Sequence, residues 1–131
     1  MDVIVRCISV KNDHLLLCYN KKGEFYFFPG GKLEYLETVN QCIVREFAEE
    51  AGIAPDKIHI HSGEKLFENI FEIDGEKFHD INIVKQVDLD VAKVESIEDH
   101  ISFAEFPLSS LPDKLYPVAI KDYVLKTFSP A

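Results

Sequence analysis

Apolar and polar positions alternate along the first part of the chain in the manner of a sheet. Val3 to Val10 reads as a strand, and Leu15 to Tyr19 as its partner across the polar turn Lys11-Asn12-Asp13. Phe25 to Phe28 is a short aromatic strand that runs into Pro29-Gly30-Gly31. The pattern then changes to a helical period. Thr38 to Ala51 is predicted as a helix: Thr38 caps it, Gln41 completes a capping box, Gly52 stops it and Pro55 follows. Phe67 to Ile73 and Phe78 to Val87 flank Asp74-Gly75, a strong hairpin signal. Asp88 to Asp99 reads as an acidic loop, and Ile101 to Phe106 as a further strand. Pro117 to Phe128 is expected to close the chain as a helix with an apolar stripe of Ile120, Val124 and Phe128. Strands, helix, strands, helix is the order of an α/β protein of the α+β type, with a mixed sheet packed between helices.

No repeat, linker or low-complexity tract divides the 131 residues, 47% of them hydrophobic, so a single domain over 1–131 with its own core is expected. No apolar run approaches the roughly 18 residues of a membrane span, and the N-terminus lacks the pattern of a secretory signal. Cys7, Cys18 and Cys42 are an odd set among apolar neighbours, which favours buried thiols in a cytoplasmic protein over disulfides. The formal charge of −9 argues against binding to nucleic-acid backbones. An anionic small molecule would likewise need a cation or a local basic pocket to approach.

The carboxylates of the first helix offer a place for one. At roughly 100° per residue, Glu46, Glu49 and Glu50 share one sector, and Glu50 points between Val39 and Ile43, which begin the apolar stripe. Like charges at this spacing repel by about 0.2–0.5 kcal/mol per pair on an exposed helix, and by more when partly buried. A hard divalent ion with oxygen ligands, Mg²⁺ or Mn²⁺, relieves that repulsion. Taken alone, three glutamates on a helix describe a solvated face. The loop before them changes that reading, since Gly30-Gly31 lets the backbone bring a carbonyl oxygen to the same place. Glu37 and Arg45 bracket the helix entry and are suited to pair.

Gly31, Glu37, Arg45, Glu46, Phe47, Glu49, Glu50, Gly52 and Ile53 stand at every fixed position of the Nudix box. The chain thus resembles the Nudix hydrolases, and the strand order around Phe28-Pro29-Gly30-Gly31 is similar to theirs. The resemblance implies an α/β/α sandwich and hydrolysis of a phosphoanhydride in a nucleoside diphosphate linked to another group. It implies Glu46, Glu49 and Glu50 as ligands of Mg²⁺, with Mn²⁺ as a substitute, joined by the carbonyl of Gly30. Glu37 would act through Arg45, which orients the helix. No protein nucleophile is needed, because phosphoryl transfer rests on positioning and charge. Cys42, near the apolar stripe, is therefore assigned to the core. The general base is open among Glu46 and the loop acids Glu95, Glu98 and Asp99, of which Glu98 is preferred as base or extra ligand.

Arg6 and Lys32 are placed to meet phosphate, His79-Asp80 to face the substrate cleft, and Tyr26 where relatives carry an aromatic; exposure or core packing also explains each. His59 and His61 alternate on a strand and are expected to be surface or structural residues. Between Ile53 and Phe71 no proline beyond Pro55 and no tyrosine marks an ADP-ribose or dinucleoside polyphosphate enzyme. That favours a MutT-like (d)NTP pyrophosphohydrolase releasing a nucleoside monophosphate and pyrophosphate. The alternatives are an ADP-ribose, nucleotide-sugar or dinucleotide pyrophosphatase, and a non-catalytic nucleotide sensor. Monomer and homodimer are equally compatible with the sequence.

Overall fold

A computed structural model describes residues 1–129. The elements run β1 (Asp2–Ile8), β2 (Val10–Lys11), β3 (His14–Asn20), β4 (Phe25–Phe27), β5 (Gly30–Lys32) and α1 (Val39–Ala51). After α1 come β6 (Ile58–Ile60), β7 (Lys65–Ile73), β8 (Glu76–Leu89), β9 (Ile101–Pro107), β10 (Leu115–Tyr116) and α2 (Val118–Phe128). The class is the mixed α and β architecture expected from the sequence.

The strands divide between two sheets. The first has the order β5-β1-β8-β6, with β7 also on β8. It is mixed: β1 and β8 are parallel, with Ile4 opposite Asn82, while β5, β6 and β7 pair antiparallel. The second sheet has the order β10-β4-β3-β2, with β9 on β3. The expected strand Val3–Val10 is interrupted at Ser9, where the chain leaves the first sheet for the second. The Ser9 carbonyl accepts from the Leu16 amide at 3.0 Å, so the crossing leaves no unpaired acceptor there.

Two apolar cores result. One holds Val5, Cys7, Cys42, Ile43, Phe47, Ile53, Val87 and Leu89, between β1, β8 and α1. The other holds Ile8, Leu15, Phe28, Val84, Leu115, Ile120 and Val124, beneath α2. Successive side chains of a strand point to opposite faces, so β1 serves the first core through Val5 and Cys7 and the second through Ile8.

The turn chemistry matches the sequence. Asn12 and Asp13 both have positive φ (52° and 59°), as do Asp74 and Gly75 (50° and 82°), the twist that tight hairpins require. Helix α1 starts with a complete capping box: Thr38 Oγ1 accepts from the Gln41 amide at 3.1 Å, and Gln41 Oε1 from the Thr38 amide at 2.9 Å. Gly52 ends it in the left-handed region, its amide donating to Ala48. The acidic stretch after β8 begins later than its composition suggests. Asp88 and Leu89 are still strand because Leu89 fills the first core and pairs with Ile58. No helix among the described residues is long and apolar enough to cross a membrane.

Candidate metal centre

The site is built where β5 passes under α1. Gly30 pairs with Arg6 and Gly31 with Val5 across the β1–β5 ladder. The two glycines are needed for different reasons. Gly30 has φ 134°, and a Cβ there would run into the Val5 carbonyl. Gly31 has ordinary φ, but a Cβ there would occupy the space of the Glu46 carboxyl group. A helix carboxylate is thus seated directly on the glycine strand.

Arg45 organises the entry to the helix. Its Nε donates to Glu37 Oε2 at 2.6 Å and its Nη2 to Glu37 Oε1 at 3.0 Å, a two-pronged grip. Nη1 reaches Glu46 Oε1 at 2.9 Å and Glu49 Oε2 at 3.3 Å, and Nη2 also donates to the Lys32 carbonyl. One guanidinium therefore ties the loop, the strand and two helix acids together. The Glu37 side chain is only 12% exposed, and the Arg45 hydrogen bonds hold its carboxyl down to about 2.

Glu50 is the opposite case. It is half-buried, and burial, with Glu46 close enough to share a proton, pushes its carboxyl up to about 8. The charge of Glu98 adds to that rise, and Arg6 opposes it. Two acids of the acidic loop, Glu95 and Asp99, are exposed, whereas Glu98 is half-buried and bonded to His100 at 3.1 Å. The Ile97 amide donates to the Glu50 carbonyl at 2.8 Å, which docks the loop on the end of α1. Of the loop acids weighed as general base, Glu98 is the one whose charge reaches Glu50.

Arg6 donates from Nη1 to the Phe28 carbonyl at 3.2 Å and lies 5.7 Å from the Phe27 ring centroid. Its Nε is enclosed with no protein partner. Beside it, Asn82 is 1% exposed and donates to Asp80 at 2.6 Å. Asp80 is expected from the sequence to face the cleft together with His79; Asn82, a polar residue between Ile81 and Ile83, carries no such signal.

The side chains of the other expected substrate contacts have partners of their own. Lys32 pairs with Asp2 at 3.1 Å, with both side chains exposed. Tyr26 is in the second sheet, its ring 4.7 Å from Tyr19 and 4.9 Å from Phe106. His79 is exposed and bonded to Glu68 on the β7–β8 hairpin. Cys42 is buried in the first core with its thiol pushed up to about 12 by burial, as befits a packing residue.

Two half-buried helix carboxylates, one seated against a glycine strand and held by an Arg–Glu grip, form a compact acidic site on the chain's first helix. The NUDIX domain model matches residues 2–126, and the chain belongs to the Nudix family. Among curated proteins, it is 54% identical over 39 residues to the 8-oxo-dGTP diphosphatase of Escherichia coli, a segment covering 30% of this chain and 29% of that one. The aligned segments span about a third of the length of the curated relatives matched. Among solved structures, a MutT Nudix hydrolase from Burkholderia pseudomallei is similar over 98% of both chains, with a TM-score of 0.72 and 22% identity. A C. elegans Ap4A hydrolase covers 98% of this chain and 93% of its own, with a TM-score of 0.71 and 17% identity.

Proposed function

We propose that the chain is a divalent-metal-dependent hydrolase of a phosphoanhydride in a nucleoside diphosphate linked to another group. The observation that carries this reading is the Glu46 carboxyl seated against Gly31, with the half-buried Glu50 one helical turn further on. Such a pair is costly when both acids ionise and is relieved by a cation between them. The donors are all oxygen, which suits Mg²⁺, with Mn²⁺ as a substitute. Glu46, Glu49 and Glu50 would hold the ion with the Gly30 carbonyl. Bound there, it would offset charge on phosphate oxygens and lower the pKa of water.

The remaining chemistry belongs to the chain. Glu37 and Arg45 fix the carboxylates in place, with Arg45 donating to Glu37 at 2.6 Å and to Glu46 at 2.9 Å. Glu98 or Glu46 takes the proton of the attacking water. Arg6, whose charge reaches Glu50, would meet an anionic group of the substrate. Three buried cysteines, none in a disulfide, suit a reducing compartment such as the cytoplasm.

Within this class we favour a (d)NTP pyrophosphohydrolase, in which water adds across the α–β anhydride to give a nucleoside monophosphate and pyrophosphate. The similarity to an 8-oxo-dGTP diphosphatase over a 39-residue segment supports it. The second reading is a dinucleotide or ADP-ribose pyrophosphatase, supported by the fold shared with an Ap4A hydrolase. A panel of canonical and oxidised (d)NTPs, ADP-ribose, sugar nucleotides and dinucleoside polyphosphates with Mg²⁺ separates the two. Absence of pyrophosphate release from every triphosphate would exclude the favoured substrate class. Tight nucleotide binding with no turnover in any metal would instead identify a sensor.

A further inference from the structure

We propose that His59, His61 and Asp88 form a second metal site, suited to a borderline divalent ion of the Zn²⁺ class. It lies where β6 meets the end of β8, at the opposite edge of the first sheet from β5 and its glycines. Side chains two apart on a strand share a face, which brings the His59 and His61 rings to 5.1 Å between centroids. Asp88 is the cross-strand partner of His59 and joins that face. One donor atom from each of the three residues lies within 4.8 Å of the others. His61 Nε2 is already 2.6 Å from Asp88 Oδ2.

The donor chemistry differs from that of the carboxylate helix. Two imidazoles and one carboxylate favour Zn²⁺, Ni²⁺ or Cu²⁺, whereas Mg²⁺ gains little from nitrogen ligands. Metal–ligand bonds of about 2.0–2.2 Å need the donors to close in by roughly an ångström. His59 and Asp88 are exposed, so a change of rotamer supplies that movement without disturbing the core. The surroundings are acidic: Asp56 and Asp90 border the same hollow, and Lys57 is turned to Asp90 at 4.0 Å. Three protein ligands on an open face leave a further position for water or an anionic group. A bound ion would bolt the short β6 to β8 and so stiffen the sheet edge.

Calorimetric titration of the full chain with ZnCl₂ tests this in a Glu46→Gln, Glu50→Gln background, which removes the carboxylate helix as a competing ligand. One equivalent of Zn²⁺ is expected to bind there with millimolar Mg²⁺ present. His59→Ala or His61→Ala should each weaken that uptake at least tenfold, and Asp88→Asn should weaken it less. Side-chain imidazole NMR signals of His59 and His61 should shift on Zn²⁺ addition, and those of His14, His79 and His100 should not. Zn²⁺ affinity unchanged in the His59→Ala, His61→Ala double variant, or no uptake by the parent, overturns the proposal and leaves a plain His61–Asp88 pair.

Discussion

The Glu46 carboxyl group occupies the space that a Cβ on Gly31 would fill. Sequence position alone suggests that Gly31 is there for backbone freedom, but its φ is ordinary and its neighbour Gly30 carries that role. Gly31→Ala should therefore fold, yet displace Glu46 and weaken metal binding and turnover by about 10–100-fold. Gly30→Ala should instead cost stability, by about 1–3 kcal/mol or more, because its φ and the Val5 carbonyl both forbid the new atom. Thermal melts and Mg²⁺-dependent rates of the two variants distinguish them. Equal melting and equal rates for both would refute the division of roles.

Glu50 makes the metal-free protein sensitive to alkali. Its carboxyl titrates near 4.5 unfolded and is pushed up to about 8 in the fold. Between these values the folded state binds the extra proton, so stability falls as pH rises through that window and levels off above it. Glu50→Gln should flatten this fall and raise metal-free stability at pH 8, while lowering turnover on the order of 10²–10³-fold or more. In the parent, metal affinity should climb with pH toward about 8, because the ion must displace that proton. Denaturant melts in EDTA across pH 5–9 give the first result, and direct metal titration the second. A variant with full activity would remove Glu50 from the metal centre.

The Arg45–Glu37 grip predicts the reverse behaviour in acid. Glu37 is held down to about 2 against 4.5 in the unfolded chain, so its contribution is present above pH 4.5 and is lost as pH falls toward 2. Arg45→Lys keeps the charge but not the planar fork. The variant should lose turnover about 10–100-fold, and its stability should depend less on pH between 4.5 and 2. Acid-unfolding curves of parent and variant that run parallel would argue against the grip as a stabilising device.

The Ile97 amide, donating to the Glu50 carbonyl, docks the loop that carries Glu98 on the end of α1. Glu98→Gln is expected to lower kcat about 10²–10⁴-fold at saturating Mg²⁺ if it is the base, with the melt unchanged. Glu95→Gln and Asp99→Asn serve as controls, both acids being exposed and expected to be silent. Turnover unaffected by Glu98→Gln leaves Glu46 as the remaining candidate.

Local chemistry made much of this protein legible in its sequence. The caps of α1, the Asp74-Gly75 turn and the spacing of Glu46, Glu49 and Glu50 depend on neighbours within a few residues, and short-range rules read such features directly. The pairing of Glu37 with Arg45 was also foreseen, because the helix start places both within one side-chain length. Other features needed the fold. The break at Ser9, the second sheet and the extension of β8 through Leu89 follow from long-range pairing, to which hydropathy is blind. Arg6 and Lys32 share a face of the first sheet through the Ile4–Lys32 register, yet Lys32 pairs with Asp2 near the start of β1 while the charge of Arg6 reaches Glu50, a difference that position along the ladder decides. The meeting of His59 and His61 with Asp88 depends on the register of β6 against β8, and a slip of one residue would send those side chains to opposite faces.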